Sequence, residues 1–380
     1  MCVVLAHAVP AIVRFPEPPW FVVLASRLAA EGMTLFFVLS GFVIYYNYAH
    51  TICTRNGLRG FAVARFARLY PLYFVVIGAD LITEFGYDQL KWARLTALPY
   101  YATLTQSWLY RPIDDNALIY QFGPASQVSW SISTEFFFYI VFPAAAAATI
   151  AVTKSVVGRA IAAACFIAVA VVALTGIESL APALENYGSA VFGPIAASQQ
   201  DGIWRWLFYF SPYVRVFEFL LGCLAAAIYL ALPPVLFPAE KRRGAWLTAG
   251  ALLSIGVLHW SFFHRPTGGP VQLYLNFGFA PSMALLIFCC ARYGTWFSRL
   301  MGARHVLVCG EASYSIYLLH MLVIHVLAVS MPVIVSRRIF PASMIALALA
   351  IASIIGLSIV TWTLIEVPAR RWLRQALMPH

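Results

Sequence analysis

Apolar runs follow one another from end to end of this chain, and nothing else in it narrows the fold so far. A helical span of a bilayer needs about 20 mostly apolar residues. Ten runs read as spans, at roughly 1–13, 33–52, 69–86, 128–152, 157–175, 213–232, 244–262, 274–291, 313–335 and 343–365. Hydrophobic residues make up 62% of the chain and charged residues 11%, against roughly 25% charged in a soluble domain. Short polar loops separate the runs, without the two-residue alternation of an outer-membrane barrel. The expectation is an all-α fold, a polytopic transmembrane helical bundle of about ten helices. Residues 1–380 read as a single integral membrane domain, with no room for a large soluble one.

The first run is short for a span and lacks the basic start of a signal peptide. The expectation is a truncated N-terminus, with the natural chain beginning upstream of Met1. Segment 95–109, LTALPYYATLTQSWL, is too polar and Pro-broken for an eleventh span and reads as interfacial or re-entrant. Pro16-Glu17-Pro18-Pro19, Pro233-Pro234 and Gly268-Gly269-Pro270 mark loops.

The net charge is +10. Basic loops facing the cytoplasm and anionic membrane lipid explain it better than nucleic acid does. With the chain start inside, 15 of the 25 Lys and Arg fall in inner loops and 9 in outer loops, Arg337-Arg338 among the latter; Arg215 begins a span. This predicts a multi-pass protein of the cell's inner (plasma) membrane with both termini cytoplasmic. The seven Cys are odd in number, with no zinc spacing and no implied disulfide framework.

Several residues stand out against the apolar background. Arg65 and Arg68, at i and i+3 in RFARLYPLY (65–73), share a helix face. Side by side they suit a phosphate, or they simply flank a span on its cytoplasmic side. Glu135 sits in WSISTEFFFYIVFP (130–143), and a carboxylate within a span marks a functional site by default. It can orient a histidine, bind a substrate hydroxyl or pair with an arginine; Asp80, Glu218 and Glu366 are also near or within spans. His7 is the only imidazole of the first span, suited to general-base work or to hydrogen bonding between helices. His320 and His325 are five apart with no acidic ligand beside them, and no metal site is read there. Ser40-Gly41 lacks the context of a nucleophile elbow and reads as a helix-packing pair.

Taken in order, the motifs resemble acyltransferase family 3, the integral membrane O-acyltransferases that include polysaccharide O-acetylases and macrolide acyltransferases. The blocks are GMTLFFVLSGFVI (32–44), RFARLYPLY (65–73), WSISTEFFFYIVFP (130–143), RVFEFLLGCLAA (215–226), GEASYSIYLLH (310–320) and IEVPARRWLR (365–374). The resemblance implies an enzyme passing an acyl group, typically acetyl, from acetyl-CoA or another acyl-CoA to a hydroxyl. The acceptor class is a carbohydrate, a lipid-linked sugar or a glycoside; no metal and no nucleic acid are implied. The family's catalytic histidine matches His7, its arginine pair matches Arg65 and Arg68, and its aromatic-flanked glutamate matches Glu135. Two positions depart from the pattern. The family's arginine about ten residues before the histidine would precede Met1, and Thr34 stands where an acid is common. The competing readings are a transporter or flippase of an acyl donor or glycolipid, and an inactive relative. Transporters often carry inverted repeats, and the chain shows none.

Overall fold

A computed structural model describes residues 1–12, 20–86, 91–152, 155–263, 276–330 and 340–378. Arg14, Lys154, Arg265, Arg337, Arg338 and the turns at 16–19 and 268–270 lie outside the described residues.

Hydrocarbon offers the backbone no hydrogen-bond partners, so an apolar run must satisfy its own N–H and C=O groups as a helix. Ten apolar helices form: α1 (Cys2–Ile12), α2 (Trp20–Tyr48), α3 (Arg55–Gly86), α4 (Trp130–Val152), α5 (Val156–Ser179), α6 (Pro212–Ala231), α7 (Pro238–Phe263), α8 (Ala280–Arg292), α9 (Ser313–Ser330) and α10 (Phe340–Thr361). Among the described residues, eight helical stretches are long and apolar enough to cross a membrane, and two further apolar helices, at the positions of α1 and α8, are shorter. A π-helical turn at Trp362–Glu366 joins α10 to a final helix, α11 (Val367–Leu377).

Each expected span is present, but α2 and α3 begin well before their apolar runs, at Trp20 and Arg55. Hydropathy marks the part of a helix that suits hydrocarbon, not the part that is helical. The first turns of α3, RNGLRGFAVARFAR, are basic yet helical, so Arg65 and Arg68 stand on a rigid rod and not in a loop. Segment 95–109 does not span. It forms part of a cap of short helices, Trp92–Leu95 and Leu98–Ala102, and turns. The described residues contain a single hairpin, Pro112–Ile113 with Asn116–Ala117. Asp114 and Asp115 turn it with positive φ (52° and 57°), as a two-residue loop of this kind requires. The Lys91 hydrogen bond, helped by Arg94, holds the exposed Asp114 carboxyl below its usual range.

Helices α2 and α6 are the central pair. A Cβ on Gly41 would lie 2.0 Å from the Phe219 carbonyl oxygen, and one on Gly222 would lie 2.0 Å from that of Val38. The two glycines let the backbones touch, which is how helices gain packing energy where lipid is as apolar as the side chains. Around this seam stack Phe37, Phe138 and Phe219, with ring centroids 5.2 and 4.9 Å apart; such pairs contribute about 0.5–1.5 kcal/mol each beyond burial. A second apolar cluster joins α1 to α9 and α10 through Val4, Ala8, Ile12, Ile316, Leu347 and Ile354.

Asp80, fully buried in α3, fixes the entry to α4. Its carboxylate accepts from the backbone N–H of Ser126 at 2.6 Å and of Ala125 at 3.4 Å. The turn so held leads directly into Trp130 and the residues that follow it.

Candidate active site

A cavity of about 760 Å³ lies beside the start of α4. Residues of α1, α2, α4, α7 and α9 line it, together with the chain between α5 and α6. Aromatic faces from Tyr120, Trp130, Trp204, Tyr209, Phe210 and Tyr317 alternate with Gln127, Gln199, Gln200, Glu185 and Arg205. His7, from the middle of α1, is the one imidazole in its wall among the described residues.

His7 is not alone. Its Nδ1 lies 3.0 Å from Nε2 of His320, with the rings stacked at 5.2 Å. His320 is fully buried, and its own Nδ1 lies 2.5 Å from the Tyr317 carbonyl oxygen. Tyr317 in turn ties α9 to the start of α4: its hydroxyl donates to the Val128 carbonyl at 2.9 Å and accepts from Ser131 at 2.8 Å. The imidazole pair therefore hangs on the same turn that Asp80 holds.

Glu135 lies deeper, 3% exposed. Ser40 and Tyr139 donate to its Oε1 at 3.0 and 2.7 Å. Among the described residues it makes no hydrogen bond to His7. It stands instead between the two polar regions of the bundle, within electrostatic reach of Tyr317 on one side and of Arg65 on the other. Ser40, read from sequence as part of a packing pair, thus does both jobs, since Gly41 beside it makes the close approach to α6.

Arg65 is at the other end of the bundle. Its guanidinium donates to the Tyr48 hydroxyl at 3.1 Å and lies over the rings of Tyr48 and Tyr139 at 5.2 and 5.6 Å. Its Nε is buried without a hydrogen-bond partner. Beside it a cleft of about 520 Å³ is lined by Tyr48, Thr51, Gly57, Gly60, Phe61, Ala64, Arg374, Gln375 and Met378. Helix α11 forms its far wall, pinned by a 2.9 Å hydrogen bond from Arg59 to the Leu377 carbonyl. Arg68 and Arg370 interact electrostatically with Glu366, and Arg65, Arg68 and Arg374 all repel Arg370. Four arginines gather here, and two of them, Arg68 and Arg370, lie within electrostatic reach of Glu366. The sequence pointed to Arg65 and Arg68; Arg370 and Arg374 read there only as C-terminal basic residues.

A third polar centre is sealed. Arg215 and Glu218, both with fully buried side chains, pair at 3.0 Å. Thr34 donates to the same carboxylate at 2.8 Å, so an acid does reach position 34, supplied by α6.

The acyltransferase-domain family matches residues 1–363. The chain belongs to acyltransferase family 3. In space the first-helix histidine stands at a cavity, Arg65 beside a cleft at the other end of the bundle, and the glutamate between them. The chain is 30% identical over 303 residues to "Acyltransferase MdmB" of Streptomyces mycarofaciens, covering 79% of this chain and 69% of that protein. No solved structure matches it. The protein is an acyltransferase carried by a multi-pass helical bundle.

Proposed function

We propose that this enzyme moves an acyl group, acetyl or another short chain, from acyl-CoA to a hydroxyl of a carbohydrate or glycoside. The observation that carries this reading is His7, an imidazole in the wall of a cavity lined by aromatic, amide and acidic side chains. Flat aromatic faces pack against the C–H surface of a sugar, and Gln and Glu side chains pair with its hydroxyls.

The donor's phosphates would lie in the cationic cleft, held by Arg65 and Arg68 from α3 and by Arg370 and Arg374 from α11. The buried Arg65 Nε and the cleft-lining Arg374 fit an anionic ligand. The acyl thioester then reaches inward past Glu135. As the acceptor oxygen attacks the thioester carbonyl, His7 takes its proton; the C–O bond forms, the C–S bond breaks, and the proton passes to the leaving thiolate. The arginine-rich face is cytoplasmic, the side on which basic residues concentrate. On this reading the C-terminus is cytoplasmic, the cavity lies toward the far side of the inner membrane, and the chain acts as one catalytic unit.

Purified protein incubated with acyl-labelled acetyl-CoA and a panel of glycosides tests this. The expected result is label on an acceptor hydroxyl, dependent on donor and enzyme. Label crossing the wall of reconstituted vesicles with no acylated product would make the chain a transporter instead.

A further inference from the structure

We infer that His320 is a positioning residue for His7: it fixes the tautomer of the base and carries part of its charge during transfer. The inference rests on His7 being the general base, and follows from two distances at one ring. The Tyr317 carbonyl oxygen, 2.5 Å from His320 Nδ1, can only accept, so Nδ1 of His320 bears the proton. In a neutral imidazole the other nitrogen is then an acceptor. That nitrogen, Nε2, lies 3.0 Å from His7 Nδ1, so His7 must donate from Nδ1. His7 is left with a bare lone pair on Nε2, the nitrogen that has no hydrogen-bond partner among the described residues, and His7 lines the cavity.

The chain of donation runs one way: His7 to His320 to the Tyr317 carbonyl. It performs the task that a carboxylate performs behind the histidine of a hydrolase triad, holding the ring and selecting the tautomer. Glu135 does not do this, because its donors are Ser40 and Tyr139. When His7 takes the proton of the acceptor hydroxyl, it becomes an imidazolium whose Nδ1–H points at the lone pair of a neutral ring. That bond becomes charge-assisted and strengthens as the transition state forms, so it lowers the barrier without tightening substrate binding. No proton leaves the pair: His7 returns the one it took to the leaving thiolate.

Two substitutions separate positioning from packing. In His320→Asn the amide N–H₂ can still reach the Tyr317 carbonyl, but the side chain is too short to accept from His7. In His320→Gln the amide oxygen falls near the place of Nε2 and can accept from His7. The expected result is a fall in kcat of about 10²-fold for the Asn variant, within the range that losing general-base catalysis spans, with KM nearly unchanged and the melting temperature near wild type. The Gln variant should recover much of kcat. Nitrogen NMR of ¹⁵N-histidine-labelled protein in detergent gives a readout independent of turnover. The His7 signals, assigned by their loss in His7→Ala, should show Nδ1–H in the wild type and shift toward Nε2–H in His320→Asn. Full kcat in the Asn variant, or equal kcat in Asn and Gln with an unchanged His7 tautomer, overturns the inference. Full activity in His7→Ala would instead refute the general-base reading, even with the NMR result intact.

Discussion

Two of the ionisable pairs inside this bundle, Arg215 with Glu218 and His7 with His320, are built in opposite ways. Arg215 and Glu218 form a salt bridge with no exposure at either side chain. Thr34 completes one carboxylate oxygen, and the Tyr209 and Phe37 rings cover the guanidinium at 4.9 and 5.7 Å. His7 and His320 are satisfied as neutral rings, and one of them opens onto a cavity. In sequence both pairs look like polar residues inside apolar runs, the usual mark of function in a membrane. The structure separates them by what is left over. The charged pair is wholly buried and ties α6 to α2, as a scaffold element would. The histidine pair keeps one ring at a cavity wall, as the proposed chemistry needs.

The largest effect should come from the open pair. His7→Ala is expected to lower transfer by about 10²–10⁴-fold while the purified protein keeps its melting temperature, since a neutral imidazole at a cavity wall contributes little to packing. The closed pair should behave in the reverse way. Arg215→Met leaves Glu218 buried without its partner, which typically costs about 3–5 kcal/mol; denaturation in detergent should show the loss, while turnover per folded molecule stays near wild type. If Arg215→Met removed turnover at unchanged stability, the division between scaffold and chemistry would fail.

Glu135 tests the ground between the two pairs. Glu135→Gln keeps the shape but weakens the bonds from Ser40 and Tyr139; hydrogen bonds to a charged group are worth about 1.5–3 kcal/mol. A fall in rate of about 10–10²-fold, larger than any change in melting temperature, is expected. A clear drop in melting temperature with intact turnover would move Glu135 to the scaffold side. The smallest effect is expected from Arg65→Gln with Arg68→Gln. Acyl-CoA should bind roughly tenfold more weakly, and an acyl-pantetheine donor, lacking the nucleotide, should be affected less. Equal losses with both donors would assign the arginines to packing.

All ten apolar helices were legible because hydrocarbon leaves a run of this composition no other structure. Arg65, Arg68 and Glu135 were legible because charge beside or inside such a run is costly and therefore conspicuous. The pairing of His7 with His320 was not, because 313 residues separate them and no spacing rule connects the first helix to the ninth. In sequence His320 has only His325 near it, five residues on and with no shared site; the fold buries the first and exposes the second. The same limit hid Glu218, which approaches Thr34 only because Gly41 and Gly222 let α2 and α6 come into contact.

Helix α2 touches both openings, with Met33 in the cavity wall and Tyr48 in the cleft beside Arg65. Those residues are fifteen apart, and at 1.5 Å per residue the helix sets the two openings about 22 Å from each other. On the proposed reading, a donor anchored by its phosphates at the cleft would have to send its thioester most of that way through the protein interior to reach His7. Whatever length of acyl group extends beyond His7 enters the space the acceptor needs. Acyl length and acceptor bulk then compete for a single fixed allowance of room, and widening the cavity wall should relax both selectivities together.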